Sequence, residues 1–403
     1  MISRALNAYL HAYRGLGKPV WILACVQLIN RSGSMVLPFM TVYMTTSLGY
    51  SKVEAGIIMS LYGAGGLAGS YLGGRLTDSI GPFTVQFLSL ITGGISYLLL
   101  PLLTGFYALG AGIFVCAVLN DSLRPANSAM TGHFATAETT TRSFSLMRMA
   151  INLGVAIGPA VAGVLAAANY TWLFVGDGLT CIAAGYVFYW YFRNKRPVMH
   201  EHVQSEKKKQ QTPYTDWRYI WFLILVLCYA GAFFQIFTGL PLYYKDVYLK
   251  TEHAIGLLLA FNGLIVFFFE MVLVSVIEKK LTPVQSLFIG SCMLGLSFLI
   301  LNMFSGGWVL FTSMALLSFS EIFAMPFMIS HAIKSATPST RGSYVAAYTI
   351  AWSLAFIISP IGTAGIIDNW GYTALWYVFG VFCVLIGLGF SRLRMQYTVQ
   401  VSE

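Results

Sequence analysis

Charged residues are scarce in this sequence: they make up 10% of the 403 residues, whereas hydrophobic residues make up 57%. Soluble domains carry about 25% charged residues. The mean hydropathy of +0.71 also implies more apolar surface than one aqueous core can bury. This scarcity excludes an ordinary soluble domain and indicates that lipid is the solvent for most of the chain.

Clustered cysteines are missing as well. The six cysteines each lie alone in an apolar run, without the close spacing of a zinc site or a disulfide framework. The sequence has no nucleophile motif and no phosphate-binding loop. We therefore expect no metal, no cofactor and no enzymatic activity. The positive charge lies mainly in short loops, which argues against nucleic acid as a partner.

No cleavable signal peptide is predicted either. Residues 1–18 contain Arg4, His11, Arg14 and Lys18 but no long apolar run, and a signal peptide needs one. Apolar residues recur at helical spacing instead. This segment is therefore predicted as a short basic helix on the membrane surface.

Apolar segments of about 20 residues, the length of a membrane-spanning helix, recur along the rest of the chain. One long polar segment, residues 194–217, separates six of them from six others. The predicted spans are Trp21–Thr45, Glu54–Leu76, Thr84–Leu103, Tyr107–Met130, Ser143–Ala168, Tyr170–Arg193, Tyr219–Tyr243, His253–Ile277, Val284–Phe304, Trp308–His331, Ser343–Ile367 and Tyr372–Ser391.

This pattern predicts five parts. They are an amphipathic segment at 1–18, a six-helix bundle at 19–193, a linker at 194–217, a second six-helix bundle at 218–393 and a tail at 394–403. With an even number of spans, both termini lie on the same side of the membrane.

Basic residues predict which side that is. Among the 24 lysines and arginines, only Lys52, Lys245 and Lys250 fall in the opposite loops, and only Arg31 and Arg124 fall within the membrane. Because short cytoplasmic loops carry the excess of positive charge, we predict that both termini and the linker are cytoplasmic.

Two runs of small residues punctuate the first half. Residues 73–81 read GGRLTDSIG, which places Gly74 at a helix contact, Gly81 after the helix and Asp78 at its cytoplasmic end. Residues 154–163 read GVAIGPAVAG and include Gly154, Gly158, Pro159 and Gly163. Small residues four apart make a flat face for close helix contact, and proline bends the helix.

These runs resemble motifs of the major facilitator superfamily. The first is similar to its GxLxD loop signature, although Pro82 follows where basic residues are usual. The second is similar to GxxxGPxxGG, the antiporter motif of drug:proton exporters, with Ala162 as a departure. The stretch Arg31–Phe39, the tenth helix at Glu321–Pro326 and the following Arg341–Tyr344 resemble bacterial multidrug exporters of the drug:proton antiporter branch.

The resemblance implies an all-α membrane protein of twelve transmembrane helices, in two pseudo-symmetric six-helix bundles around a central cavity. Helices one, four, seven and ten would line this cavity. It also implies that Asp78 helps to latch one conformation of an alternating-access cycle. We expect a monomer in a bacterial inner membrane.

Ionisable residues within the membrane need a partner or a function, because each costs about 3 kcal/mol or more there. Arg31 and Asp121 are predicted at the same depth and are able to pair; Arg124, one turn from Asp121, is the other possible partner. Asp121 is thus a candidate for proton coupling, with a permanent structural ion pair as the alternative. Asp177 is interpreted as a packing or surface group.

The second half contains Glu270 and Glu321 near the middle of predicted spans, with no basic residue at similar depth. A carboxyl group in such surroundings is able to gain and lose a proton near neutral pH, which proton coupling requires. The alternative is a permanently neutral acid bonded to a neighbouring helix. The sequence does not rank these two acids.

Further candidates for substrate binding accompany Arg31 and Arg124. Buried amides, aromatic rings and flexible thioethers suit varied hydrophobic ligands, although each is common in helix packing. The candidates are Gln235, Asn262, Tyr43, Phe39, Met325 and Trp352.

Three classes of function follow. The first is a proton-coupled exporter of hydrophobic or amphipathic small molecules. The second is a proton symporter that imports a peptide, sugar or other metabolite, for which the two membrane arginines would suit an anionic substrate group. The third is a membrane enzyme or receptor without transport, for which the sequence offers no motif.

Overall fold

The computed structural model describes residues 15–136, 139–195, 212–336 and 340–393. The predicted amphipathic segment up to residue 14, most of the linker and the tail at 394–403 lie outside these ranges. All regular structure in the described residues is helical.

The described residues of the first half form eight helices, and Leu100–Leu102 adds a 3-10 turn. They are α1 (Lys18–Ser32), α2 (Val36–Thr46), α3 (Lys52–Ile80), α4 (Pro82–Leu99), α5 (Phe106–Asp121), α6 (Leu123–Phe134), α7 (Thr140–Ala168) and α8 (Thr171–Phe192).

Within residues 212–336 and 340–393 the second half forms six helices, with a 3-10 turn at Phe234–Ile236. They are α9 (Trp217–Phe233), α10 (Gly239–Asp246), α11 (Glu252–Lys280), α12 (Pro283–Met303), α13 (Gly307–Lys334) and α14 (Arg341–Arg392). Gly371 lies inside α14 with a non-helical φ of 76°, a conformation that favours glycine.

Ten segments in the described part of the chain are long and apolar enough to cross a membrane. Three of them combine two helices each, namely α1 with α2, α5 with α6 and α9 with α10. The 29-residue α3 is not among the ten, and the last segment contains both of the final predicted spans. The all-helical membrane fold is confirmed, and the count of twelve spans stays a prediction.

Helix ends follow local sequence signals. Ser51 and Glu54 form a reciprocal capping box at the start of α3, and Thr282 and Gln285 form another at the start of α12. Each box satisfies backbone N–H groups that a first helical turn leaves without partners.

Contacts divide the chain into two compact units. Unit 1 comprises Met1–Gln204, Ile236–Phe267 and Pro360–Ala364. Unit 2 comprises Ser205–Gln235, Phe268–Ser359 and Gly365–Glu403. Helix α10 and the first part of α11 therefore belong to the same unit as the helices of the first half.

Unit 1 contains a face of glycines that positions the functional site. Gly65, Gly69 and Gly73 recur every four residues along α3 and lie against the backbone of Phe114, Val118 and Ser122. The Ser122 hydroxyl also donates to the Gly69 carbonyl at 3.0 Å. Helices in lipid gain little from apolar contact alone, so such close backbone approach is what holds them together.

Adding a methyl group to a glycine of α3 tests whether this face is closely packed. We expect Gly69→Ala to destabilise the protein by about 1–3 kcal/mol, because its Cβ would overlap the Val118 backbone. Gly74→Ala is the matched control, since nothing lies within 4 Å of its Cβ position. Thermal unfolding in detergent should show a lower midpoint for Gly69→Ala only. Equal midpoints for the two variants would contradict the close packing.

Candidate functional site

The first predicted span is broken at its middle. Helix α1 ends at Ser32 and α2 begins at Val36. The first N–H groups of α2 have no partner within the helix, and Asp177 of α8 supplies one. Its Oδ2 accepts hydrogen bonds from the backbone N–H groups of Met35 at 3.2 Å and Val36 at 3.1 Å.

Asp177 is 3% exposed, so it belongs to the interior. Of the two interpretations that the sequence left open, packing or surface, the surface role is wrong. Its carboxylate oxygen accepts hydrogen bonds at a break in the first span, which the sequence predicts as one continuous helix.

The fourth predicted span also has an interruption, at Ser122 between α5 and α6. There Arg124 Nε donates to Asp121 Oδ1 at 2.8 Å, and the two side chains are 55% and 10% exposed respectively. Gly66 lies against the other carboxylate oxygen, and a Cβ at this position would clash with it. The acid is fixed inside unit 1, whereas the arginine is accessible.

A cavity of about 50 Å³ lies beside this ion pair, which is enough space for ordered water. Its walls come from α1, α2, α3, α4, α5 and α8 and from the break between α1 and α2. They include Asn30, Arg31, Tyr62, Asn120, Asp121 and Asp177. Two carboxyl groups from different helices therefore face one small polar space.

Arg31 lines the same cavity but is not the ion-pair partner that the structure gives Asp121. Arg124 takes that position, one turn away on the same face. The Arg31 Nε atom is buried and has no hydrogen-bond partner among the described residues. Of the two arginines that the sequence left open as partners of Asp121, the structure pairs it with Arg124, which lies only three residues away in the chain.

The GxxxGP run makes close contacts on two sides of α7. Gly154 and Gly158 lie against residues 31–34 at the break of the first span, and Gly163 lies against Gly256 of α11. The carbonyl of Pro159 also approaches Gly256. A side chain at any of these glycines would force the helices apart.

The GxLxD run has a different character. Gly81 has a φ of +86°, which a glycine adopts readily. Gly74 has open space around its Cβ position, so the helix contact expected there belongs to Gly73 instead. Asp78 is exposed, and its role as a latch stays a prediction.

Unit 1 also contains a polar network at the ends of α3, α8, α10 and α11. Tyr170 donates to Glu252 at 2.8 Å, and Lys245 forms an ion pair with the same carboxylate. A second ion pair joins Lys52 of α3 to Asp246 of α10 at 2.8 Å. We name these residues the outer network, after the predicted orientation of these helix ends.

Other predicted binding residues in unit 1 have different degrees of burial. Phe39 and Asn262 are buried. Tyr43 is half-buried and packs its ring against Tyr170 and Phe174, with centroids 5.6 and 5.3 Å apart. Tyr43 thus stands beside the outer network rather than beside the polar cavity.

Unit 2 holds the remaining candidates. Gln235 is buried and donates to the Ser359 hydroxyl at 3.1 Å, and this hydroxyl donates to the Gly231 carbonyl at 2.7 Å. These bonds tie α9 to α14. They correspond to the helix-bridging role that the sequence allowed for an amide.

Aromatic rings surround the end of α9 in the same unit. Trp352 contacts Phe234 at a centroid distance of 5.6 Å, and Phe234 contacts Phe356 at 4.6 Å. Glu321, Met325 and Glu270 are half-buried. Beside Glu321, the hydroxyls of Ser320 and Tyr229 are 2.7 Å apart.

The sequence missed Asp177, Tyr62 and Gly66 as parts of the site. An aspartate near a helix end and a glycine among many glycines carry no distinctive signal. Asp177 accepts a hydrogen bond from the N–H of Met35, which lies 142 residues away in the chain. Only the packing of α8 against the first span brings these groups together.

A double-mutant cycle distinguishes the two possible partners of Asp121. We expect Asp121→Asn and Arg124→Gln to be coupled by about 1 kcal/mol in thermal stability, because each removes the same ion pair. The cycle of Asp121→Asn with Arg31→Gln should show clearly less coupling. Equal coupling in both cycles would contradict the observed geometry.

Comparisons with known proteins agree with this architecture. The sequence matches the family model described as Major Facilitator Superfamily over residues 20–360 and 248–399. It is 25% identical to a Na(+), Li(+), K(+)/H(+) antiporter of Planococcus maritimus, covering 89% of this chain and 91% of that protein. It is 22% identical to a tetracycline resistance protein, class D, of Salmonella ordonez, covering 86% and 89%.

Solved structures share the fold. A POT family transporter crystallised with 5-aminolevulinic acid superimposes with a TM-score of 0.80 and 18% identity, over 93% of this chain and 96% of that one. At this identity the likeness concerns the fold alone. The family match extends across the described helices and the site, and the chain belongs to the Major Facilitator Superfamily of multi-pass membrane transporters.

Proposed function

We propose that this protein is a proton-coupled antiporter that exports hydrophobic or amphipathic small molecules by alternating access. In this proposal twelve helices cross the bacterial inner membrane, both termini are cytoplasmic, and the protein acts as a monomer. The antiporter and tetracycline-resistance relatives support the direction of transport and the coupling.

The observation that carries the proposal is the ion pair of Asp121 and Arg124. The carboxylate is buried and the guanidinium is accessible. A substrate is therefore able to contact the arginine but not the acid, and a helix movement is able to draw the arginine away. An isolated carboxylate in a buried site is costly, and proton uptake removes that cost. Separation of the pair would therefore favour protonation of Asp121, and its return would release the proton.

The neighbouring cavity suits this exchange. Its polar walls and volume of about 50 Å³ provide space for water beside the acid, and water is able to carry a proton to and from it. Arg31 adds positive charge to the same space. Such a space is too small for a drug, so it serves the proton rather than the exported compound.

Glu321 and Glu270 are the coupling candidates of unit 2. Each is half-buried in a predicted span, as a group needs to be if it exchanges protons with an aqueous route. We assign substrate contact to Trp352 and Met325 among the half-buried apolar side chains. Gln235 and Asn262 then act mainly in helix packing, because both are buried.

A proton symporter that imports a peptide is the second candidate. The chain is 25% identical to a di-/tripeptide transporter of Lactococcus lactis subsp. cremoris, over 60% of this chain and 49% of that protein. The accessible Arg124 would suit a substrate carboxylate. Coupling at Asp121 is the same in both candidates, and only the direction of substrate movement differs.

Proteoliposomes separate these candidates. An imposed proton gradient should drive a lipophilic drug against the direction of proton flow, whereas a symporter would move a dipeptide in the same direction as the protons. Sodium and potassium ions are tested as alternative substrates, given the relative named above. Transport that ignores the proton gradient for all these compounds would refute the proposal.

Removal of single carboxyl groups tests which of them couple. We expect Glu321→Gln to abolish proton-driven transport while leaving the protein folded, because the amide is similar in size but does not ionise. Glu278→Gln is the matched control, since Glu278 is exposed at the end of α11. Initial transport rates against pH give the answer. A pH profile of Glu321→Gln identical to that of the parent would exclude Glu321 from coupling.

A further inference from the structure

The break in the first span is a mechanical junction within unit 1. The backbone N–H groups of Met35 and Val36 both donate to one carboxylate oxygen of Asp177, and that of Met35 also donates to the Gly33 carbonyl at 2.6 Å. The break also has little room around it. A Cβ on Gly33 would overlap the Thr180 hydroxyl of α8, and a Cβ on Gly154 would meet Arg31 at 2.5 Å.

Helix α2 extends from this junction to the outer network. The Thr41 hydroxyl lies 3.4 Å from the carbonyl of Phe237, to which it donates. At the end of α2 the hydroxyls of Thr46 and Tyr170 are 3.5 Å apart, and Tyr170 in turn bonds Glu252. A shift of α2 would therefore disturb contacts with α8, α10 and α11 together.

Asp177 therefore contacts both the polar cavity and the start of α2. Asp177 lines the polar cavity that also contains Asp121, and it holds the first turn of α2. Hydrogen bonds to an ionised acceptor are about twice as strong as those between neutral groups. The partial positive charge at a helix start adds a further attraction to a negative side chain. The hold on α2 consequently depends on the charge of Asp177.

We propose that Asp177 is the positioning residue through which the polar cavity controls the outer contacts. Its ionised carboxylate holds α2 in place, and loss of the negative charge releases α2 and opens these contacts. The proposal rests on the proposed function in one respect, that these contacts open and close during proton-coupled transport.

Several groups around the cavity bear on the pH dependence of this device. The charged ones are Arg31 of α1 and Asp121 of α5, with Arg124 paired to Asp121. The other titratable groups are Tyr62 of α3, Tyr97 of α4 and Cys181 of α8. On α7, the contacts with the break are made by Gly154 and Gly158. Asp121 is thus the other acid facing the cavity, and the experiment must separate the two acids.

Cysteine labelling measures the release of α2 without any transport. Thr41 is 2% exposed, so Thr41→Cys should react slowly with a membrane-impermeant maleimide while α2 is held. The exposed Cys25 is replaced by alanine in every protein used, and the labelling of this background without Thr41→Cys is subtracted. The protein that carries only the changes at Cys25 and Thr41 is called the parent in this experiment. Because maleimides react with the thiolate, each rate is divided by that of a free thiol at the same pH. With this correction we expect several-fold faster labelling of the reconstituted protein at acidic than at alkaline pH.

Asp177→Asn should label several-fold faster than the parent at alkaline pH and lose most of the pH dependence, since the amide remains an acceptor without charge. Asn169→Ala is the matched control. Asn169 bonds the N–H of Thr171 at 2.8 Å at the exposed start of the same helix, and its removal should leave labelling unchanged. Asp177→Glu, which keeps the charge, should retain slow labelling at alkaline pH.

Three results would overturn the proposal. They are labelling in the parent that does not change with pH, parent-like labelling in Asp177→Asn, and loss of the pH dependence in Asp121→Asn alone. If Asp177→Asn does not fold, as judged by size-exclusion chromatography, the pH response of the parent and of Asp177→Glu decides. A lack of proton-driven transport, with labelling as expected, would refute the proposed function and leave the role of Asp177 intact.

Discussion

The requirement that polar groups within the membrane find partners inside the protein governs this structure. Backbone N–H groups exposed by a helix break cannot bond to lipid, and each one left without a partner costs several kcal/mol. The first span breaks between Ser32 and Val36, and Asp177 satisfies the N–H groups that the break exposes. Because the break also places Arg31 beside the cavity, the polar site exists only while this arrangement holds.

Close backbone packing is the second part of the same argument. Apolar side chains gain little by leaving lipid for another helix, so helix contacts depend on van der Waals fit and buried hydrogen bonds. The glycines of α3 bring its backbone against α5 and α6, and those of α7 bring it against the break and against α11. These faces fix the distances within which Asp121, Arg124 and Asp177 interact. A charged site in the membrane thus depends on residues that carry no charge at all.

The sequence predicted those features that repeat or that stand out from their surroundings. Long apolar runs located the helices, and the GxxxGP run correctly marked a helix contact, because both signals are local. A charged residue in an apolar run is conspicuous, so Asp121 and Arg124 were recognised, although the sequence left the partner of Asp121 open. Asp177 was interpreted only as a packing or surface group, since its bonds to Met35 and Val36 depend on a break in another helix. For Gln235 the sequence allowed either substrate binding or helix packing, and its hydrogen bond to Ser359 favours helix packing.

The helix breaks themselves explain most of what the sequence could not predict. The sequence predicts each of the two broken spans, the first and the fourth, as one continuous helix, although polar residues interrupt the apolar run at both breaks, and Pro38 and Pro125 lie in the first turns of α2 and α6. Such breaks are typical of transporter sites, where discontinuous helices present backbone groups to a cavity. Their positions follow from tertiary contacts, among them the approach of Thr180 to Gly33. Local signals therefore locate the apolar helices, whereas the partners that stabilise the breaks come from distant parts of the chain.

The central claim is that a carboxyl group facing the small cavity of unit 1 gains and loses a proton. Infrared difference spectroscopy of the reconstituted protein during pH titration measures this directly, because a protonated carboxyl has its own C=O stretching band. The account predicts carboxyl bands that grow on acidification, with one contribution lost in the Asp121→Asn variant and another lost in the Asp177→Asn variant. A spectrum with no titrating carboxyl band, or with one that persists unchanged in both Asp121→Asn and Asp177→Asn, would contradict it.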